Sequence, residues 1–112
     1  MNLKEFDRLE GHLKMNGIRY ERIDLKSAFN EHHEIFYPSR AWHTADAILD
    51  TYSEGHEEGL LEYFGELPNG QTGIQGKMTA DEIFERLKGY EYRHIQRELR
   101  RLDLCGRKAG DP

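Results

Sequence analysis

The stretch AWHTADAILDTYSEGHEEGLLEYFGEL, residues 41 to 67, decides the fold class. Its first part, AWHTADAILDTY, alternates apolar with polar or small residues, the period of a half-buried strand. Ser53, Glu54, Gly55, His56 and Glu57 then make a polar, glycine-bearing connection, and GLLEYFGEL resumes the extended pattern. Two such runs around one short connection predict an antiparallel hairpin. In the second run Leu60, Glu62 and Phe64 share one face while Leu61 and Tyr63 share the other, so both faces are apolar enough for a central strand.

Toward the N-terminus, HEIFYP reads as a further strand joined to the hairpin by a turn at Pro38-Ser39-Arg40, and IRYERIDL as another β-rich run. Before these, Leu3, Phe6, Leu9 and Leu13 recur at three- to four-residue spacing behind Asn2 and Glu5, a relaxed capping box, and Asn16-Gly17 closes that helix. Toward the C-terminus, Pro68-Asn69-Gly70 is a strong turn and residues 72–76 fit an edge strand. Thr79 with Glu82 forms a capping box ahead of Ile83, Phe84 and Leu87, predicting a helix over 80–88. Gly89 ends or bends it, Tyr92, Ile95, Leu99 and Leu102 mark a second helical segment, and the tail CGRKAGDP frays. The expected fold is a single α+β domain over 1–112: an N-terminal helix, a three- to five-stranded antiparallel sheet and a C-terminal helical pair over 79–103.

Composition fits a folded domain. A chain of 112 residues with five Phe, six Tyr and one Trp carries enough large apolar surface for one core despite being 33% charged. No run approaches the roughly 18 apolar residues of a membrane span, and MNLKEFDRLEGHLK lacks the basic-then-apolar order of a secretory signal, so the expected location is cytoplasmic. The single cysteine, Cys105, rules out an internal disulfide and a cysteine-based zinc cluster. Charge is sorted along the chain: residues 1–69 carry 7 Lys+Arg against 14 Asp+Glu, and residues 70–112 carry 9 against 7. Phosphate neutralisation needs a basic surface, so any nucleic-acid role falls in the last third.

Glu54, His56, Glu57, Glu58 and Glu62 crowd the hairpin connection. Paired carboxylates beside an imidazole suit proton transfer or a metal, but a tip flanked by Gly55 and Gly59 is open to water, which favours a solvated loop. The functional alternative is an acidic protein-binding patch of Glu54, Glu57, Glu58 and Glu62. His32, His33, His43 and His56 could converge with Asp46 on a divalent metal only if their strands are neighbours, and adjacent His32 and His33 point to opposite faces. GxSxG, GxxxxGK[ST] and GxGxxG are missing, and Cys105, though near Arg107 and Lys108, has no histidine partner marked in the sequence. No catalytic residue, metal or cofactor is expected.

Residues 91–103, EYRHIQRELRRLD, are more specific. At about 100° per residue Tyr92, Ile95, Leu99 and Leu102 form a narrow apolar arc that should dock, and Arg93, Arg97, Arg100 and Arg101 lie on the opposite side. Arg93/Arg97 and Arg97/Arg101 are like-charge i, i+4 pairs, which leaves the arginine face in want of anions.

Two resemblances add to this reading. TADEIFERLKGYEYRHIQRELRRLDLCG, residues 79–106, resembles the helix pair of a winged helix-turn-helix domain, which implies phosphate or base contacts by Arg93, Arg97, Arg100 and Arg101. TADAILDTYSEGHEEGLLEYFGEL with the following GKMTADEIFERL, spanning 44–87, resembles a group of small phage and prophage accessory proteins: a strand ending in Tyr-Ser, a glycine loop, Glu-x-Gly-Leu-Leu-Glu and a Met-Thr-Ala helix start. That resemblance implies no established catalytic residues and a setting in which small non-enzymatic proteins bind and redirect host machinery, defence nucleases included.

The expectation is therefore a non-enzymatic phage-type protein in the host cytoplasm that modulates or inhibits a host or phage protein through charged surfaces. The alternatives are a DNA-binding, helix-turn-helix-like regulator using the arginine face of helix 91–103, with nucleic acid met over residues 86–108, and a metal-dependent hydrolase. A homodimer through the edge strand or the terminal helices is also open.

Overall fold

The computed structural model describes residues 1–110, with side chains described through Asp103. Helix α1 (Lys4–Met15) leads into strands β1 (Glu21–Lys26), β2 (Glu31–Tyr37), β3 (Ala45–Asp50), β4 (Leu61–Glu66) and β5 (Thr72–Met78), and helix α2 (Ala80–Gly110) follows. The strands form one antiparallel meander in sequence order, so β4 is interior and β5 lies at an edge, as the pattern predicts.

Both helices cover the same face of the sheet. The row Arg22, Ile35, Ala47, Tyr63 and Gln75 runs across all five strands on that face. Phe6, Leu9 and Leu13 of α1 and Ala80, Ile83 and Leu87 of α2 close over it, joined by Leu49, Leu61 and Met78 in one buried cluster. Each fully buried Leu or Ile there contributes about 2 kcal/mol relative to exposure. The opposite face carries the row Ile23, Glu34, Ile48 and Glu62 and is uncovered among the described residues. β4 is thus central in the ladder but covered on one side only, and Phe64 stands partly exposed on the other.

Two local expectations fail for identifiable reasons. The strand read over 41–52 begins only at Ala45, because the Trp42 N–H donates to Ser39 Oγ (3.1 Å) and the Thr44 N–H to the Tyr37 carbonyl (2.8 Å), holding residues 38–44 in a turn. The C-terminal helical pair is one helix of 31 residues with no break at Gly89. An interior glycine costs only about 1 kcal/mol, and the helix is anchored on both sides of it. Leu87 is buried, the Glu66 N–H donates to Tyr90 Oη (2.6 Å), and the Tyr37 hydroxyl donates to Glu91 Oε2 (2.5 Å). Without the break there is no helix-turn-helix corner.

The helix ends follow their sequence signals with one exchange of partners. The Thr79 N–H donates to Glu82 Oε1 (3.1 Å) and the Glu82 N–H to Thr79 Oγ1 (3.3 Å), the reciprocal box expected. Asn2 accepts from the Lys4 N–H (2.9 Å), but Glu5 reaches out of its own helix to accept from the Ala80 N–H (3.0 Å) at the start of α2. Arg8 and His12 of α1 also meet Asp81. At the end of α1, Gly17 takes a left-handed φ of 64° and the Ile18 N–H donates back to the Leu13 carbonyl (3.0 Å), which brings Ile18 into the core.

A helix of 31 residues is about 46 Å long, more than the transverse extents of 27 and 22 Å of a molecule whose long axis is 67 Å. The distal half of α2 accordingly runs out past the sheet.

Candidate functional site

The hairpin carboxylates do not form a free row. A 3-10 turn (His56–Glu58) sits between Gly55 and Gly59, both left-handed at φ 90° and 73°, and folds the connection back toward β5. The Glu54 side chain lies over Gly76, where any Cβ would collide with its carboxylate. Glu58 is 3.9 Å from the Lys77 ammonium, and Glu62 Oε2 accepts from the Glu54 N–H (2.9 Å). The carboxylates of Glu54 and Glu57 have no hydrogen-bond or ion-pair partner among the described residues, and both residues are exposed. The tip is built by its own side chains, which weakens its reading as an acidic docking patch.

The histidines are also occupied. His32 lies between Asp50 (2.6 Å, at Nδ1) and Glu34 (2.8 Å, at Nε2) on the open face, and His33 between Asp24 (2.5 Å) and Glu31 (2.6 Å) toward the helix side. Burial pulls the His32 pKa down, but its hydrogen bonds to Asp50 and Glu34 outweigh that, and the net shift is upward. His43 Nδ1 and His56 Nδ1 are engaged by the carbonyls of Arg40 and Ser53. Among the described residues no three potential ligands converge on a metal position. The Cys105 thiol, with Arg107 and Lys108, lies outside the described side chains.

A cluster the sequence reading did not isolate occupies the middle of the open face. Asp46 on β3 lies beside Glu34 of β2 and Glu62 of β4, in a shallow hollow of about 210 Å³ walled by Ile48, Phe64 and Ile74. Burial, then the charge of Glu34, pushes the Asp46 carboxyl up to about 7, against His43 at 3.9 Å, which lowers it. Its Oδ1 is buried with no hydrogen-bond partner among the described residues. The surroundings thus favour the protonated form of Asp46. The cluster's sequence signal was the carboxylate at alternate positions of Glu34, Asp46 and Glu62, which becomes a cluster only once the register is known.

The distal half of α2 is the most accessible apolar element. Tyr92, Ile95, Leu99 and Leu102, read as a docking arc, are 65%, 48%, 53% and 60% exposed, so they dock on nothing among the described residues. On the other side, Arg93 pairs with Glu66 (3.0 Å) and covers the Tyr90 ring, and Arg101 pairs with Glu98 (2.6 Å). Arg97 and Arg100 have no described partner. Between the end of α1 and α2 runs a groove of about 530 Å³, lined by Asn16, Ile18, Lys88, Gly89, Tyr92 and Ile95, which leads onto the apolar arc. The structure therefore separates the predicted sites: the arginines and the apolar arc share one projecting helix, while the hairpin glutamates belong to the sheet.

No family model matches this chain, and no curated protein or solved structure does either. No described helix is long and apolar enough to cross a membrane.

Proposed function

We propose that this chain is a non-enzymatic binding protein whose working surface is the distal half of α2. The observation that carries the reading is the exposure of Tyr92, Ile95, Leu99 and Leu102 on a helix that has left the domain. A contiguous apolar stripe rimmed by charge marks a surface that is covered in use. The resemblance of residues 44–87 to phage accessory proteins supports a setting in the host cytoplasm, with a host or phage protein as the target, defence nucleases included, and with modulation by occupancy of its surface. A photocrosslinking residue at Leu99 should capture a discrete partner in host cells, and the same residue at Glu21, on β1, should not. Equal labelling from both positions would remove the proposal.

A second reading has one observation in its favour, Arg97 and Arg100, which have no partner among the described residues, beside Arg93. It assigns this stripe to nucleic-acid phosphates. Random duplex at low salt should then shift in a gel, with affinity falling steeply as salt rises and lost on Arg97→Ala with Arg100→Ala. No shift at micromolar protein excludes it.

A further inference from the structure

Tyr92, Ile95, Leu99 and Leu102 are spaced three, four and three residues apart, the a and d positions of a heptad. A strict a/d stripe is narrower than the face by which a helix packs on a sheet, and it suits the seam between two helices. In this register Glu91 and Glu98 fall at g, Gln96 and Asp103 at e, and the arginines at b, c and f. The seam is therefore flanked by acid on both sides, with the cations turned away from it.

We infer that the seam receives an amphipathic helix of a partner protein, one whose own apolar stripe is flanked by lysine or arginine. This deepens the docking reading above and rests on it. Charge at the flanking positions sets which helix is accepted. Glu91 is held in place by the Tyr37 hydroxyl, while Glu98 leans on Arg101 in an exposed pair of the kind that exchanges partners at little cost.

A second copy of this chain is the poorer occupant for two reasons. Parallel pairing sets Glu98 across from Asp103 of the other copy, and antiparallel pairing sets glutamate against glutamate. Four half-exposed side chains per copy would also bury on the order of 800 Å² together, short of the roughly 1,200 Å² at the low end of specific interfaces. A foreign helix longer than the seam escapes the second limit, because it can continue into the groove beside Asn16 and Ile18. There Gly89, with no side chain, leaves room for close approach: a Cβ at that position would meet only the Arg93 guanidinium, at 3.8 Å.

The test uses two labelled four-heptad peptides with an Ile/Leu seam, one with Lys at every e and g position and one with Glu there, titrated onto the full chain by fluorescence anisotropy. The Lys peptide should bind at least tenfold tighter than the Glu peptide. Ile95→Asp with Leu99→Asp should abolish binding without moving the thermal midpoint, and Glu98→Lys with Asp103→Lys should reverse the preference. Equal binding of the two peptides, or binding of neither, overturns the inference. So does a concentration-dependent dimer in sedimentation equilibrium that Ile95→Asp with Leu99→Asp dissolves, since the seam would then belong to a second copy. If the crosslinker at Leu99 captures a partner while neither peptide binds, the docking role stands and the basic-flanked helix alone falls.

Discussion

Ile83 and Leu87 near the start of α2 are buried against the sheet, while Ile95 and Leu99 beyond its middle stand in solvent, although both pairs are four residues apart on one unbroken helix. The contrast lies in what the helix passes over. Its first turns cross the inner face beside α1, and its later turns have run past Tyr37 and Glu66 at the ends of β2 and β4. An apolar stripe states that a helix has a partner, and it leaves open whether that partner belongs to the same chain.

The largest expected effect tests this contrast directly. Leu87→Ala should destabilise the domain by about 3 kcal/mol in urea denaturation, the cost of a core cavity, while Leu99→Ala should change stability by less than about 0.5 kcal/mol. Comparable losses at the two positions would mean that the distal stripe is covered within the molecule.

The sheet repeats the contrast between its two faces, and Asp46 on the open face gives it a pH dependence. Its carboxyl is raised from 3.8 to about 7, so the folded state holds a proton there that the unfolded chain has already released. The associated stability is fully present below about pH 4 and is lost as pH rises to 7. Asp46→Asn should match the wild type at pH 4 and exceed it at pH 8 by on the order of 3 kcal/mol. If the two proteins track each other across that range, Asp46 ionises freely and the open face is no strained cluster.

A smaller effect belongs to the proximal end. Glu5→Ala removes the carboxylate that accepts the Ala80 N–H and should cost about 1 kcal/mol, with amide exchange accelerated in the first turn of α2 and unchanged beyond Tyr92. Faster exchange along the whole helix would show that its two halves do not act independently.

Much of the architecture was legible because it rests on local rules. Alternation in ADAILD and LEYFGE gave two strands of the sheet, Thr79 and Glu82 gave a helix start, and Asn16-Gly17 gave a helix end. The misreadings arose where distant residues outvoted local preference. Gly89 carries a helix-ending signal, but the contacts of Tyr90 with Glu66 and of Glu91 with Tyr37 carry the helix through it. Glu5 has the spacing of a cap for its own helix but serves α2, a partner far along the chain. The hairpin glutamates looked like one patch because they are adjacent in sequence, and the tertiary fold sends Glu54 over Gly76 and Glu58 to Lys77.

The sequence by itself determined the α+β class, the antiparallel pairing and the division of the last helix into an apolar and a cationic side, because periodicity and capping act over a few residues. Only the tertiary structure decided which apolar stripe is core and which is surface, and that Glu34, Asp46 and Glu62 meet. Burial and cross-strand proximity depend on where the sheet ends and how its strands are registered, and neither is written in any short segment of the chain.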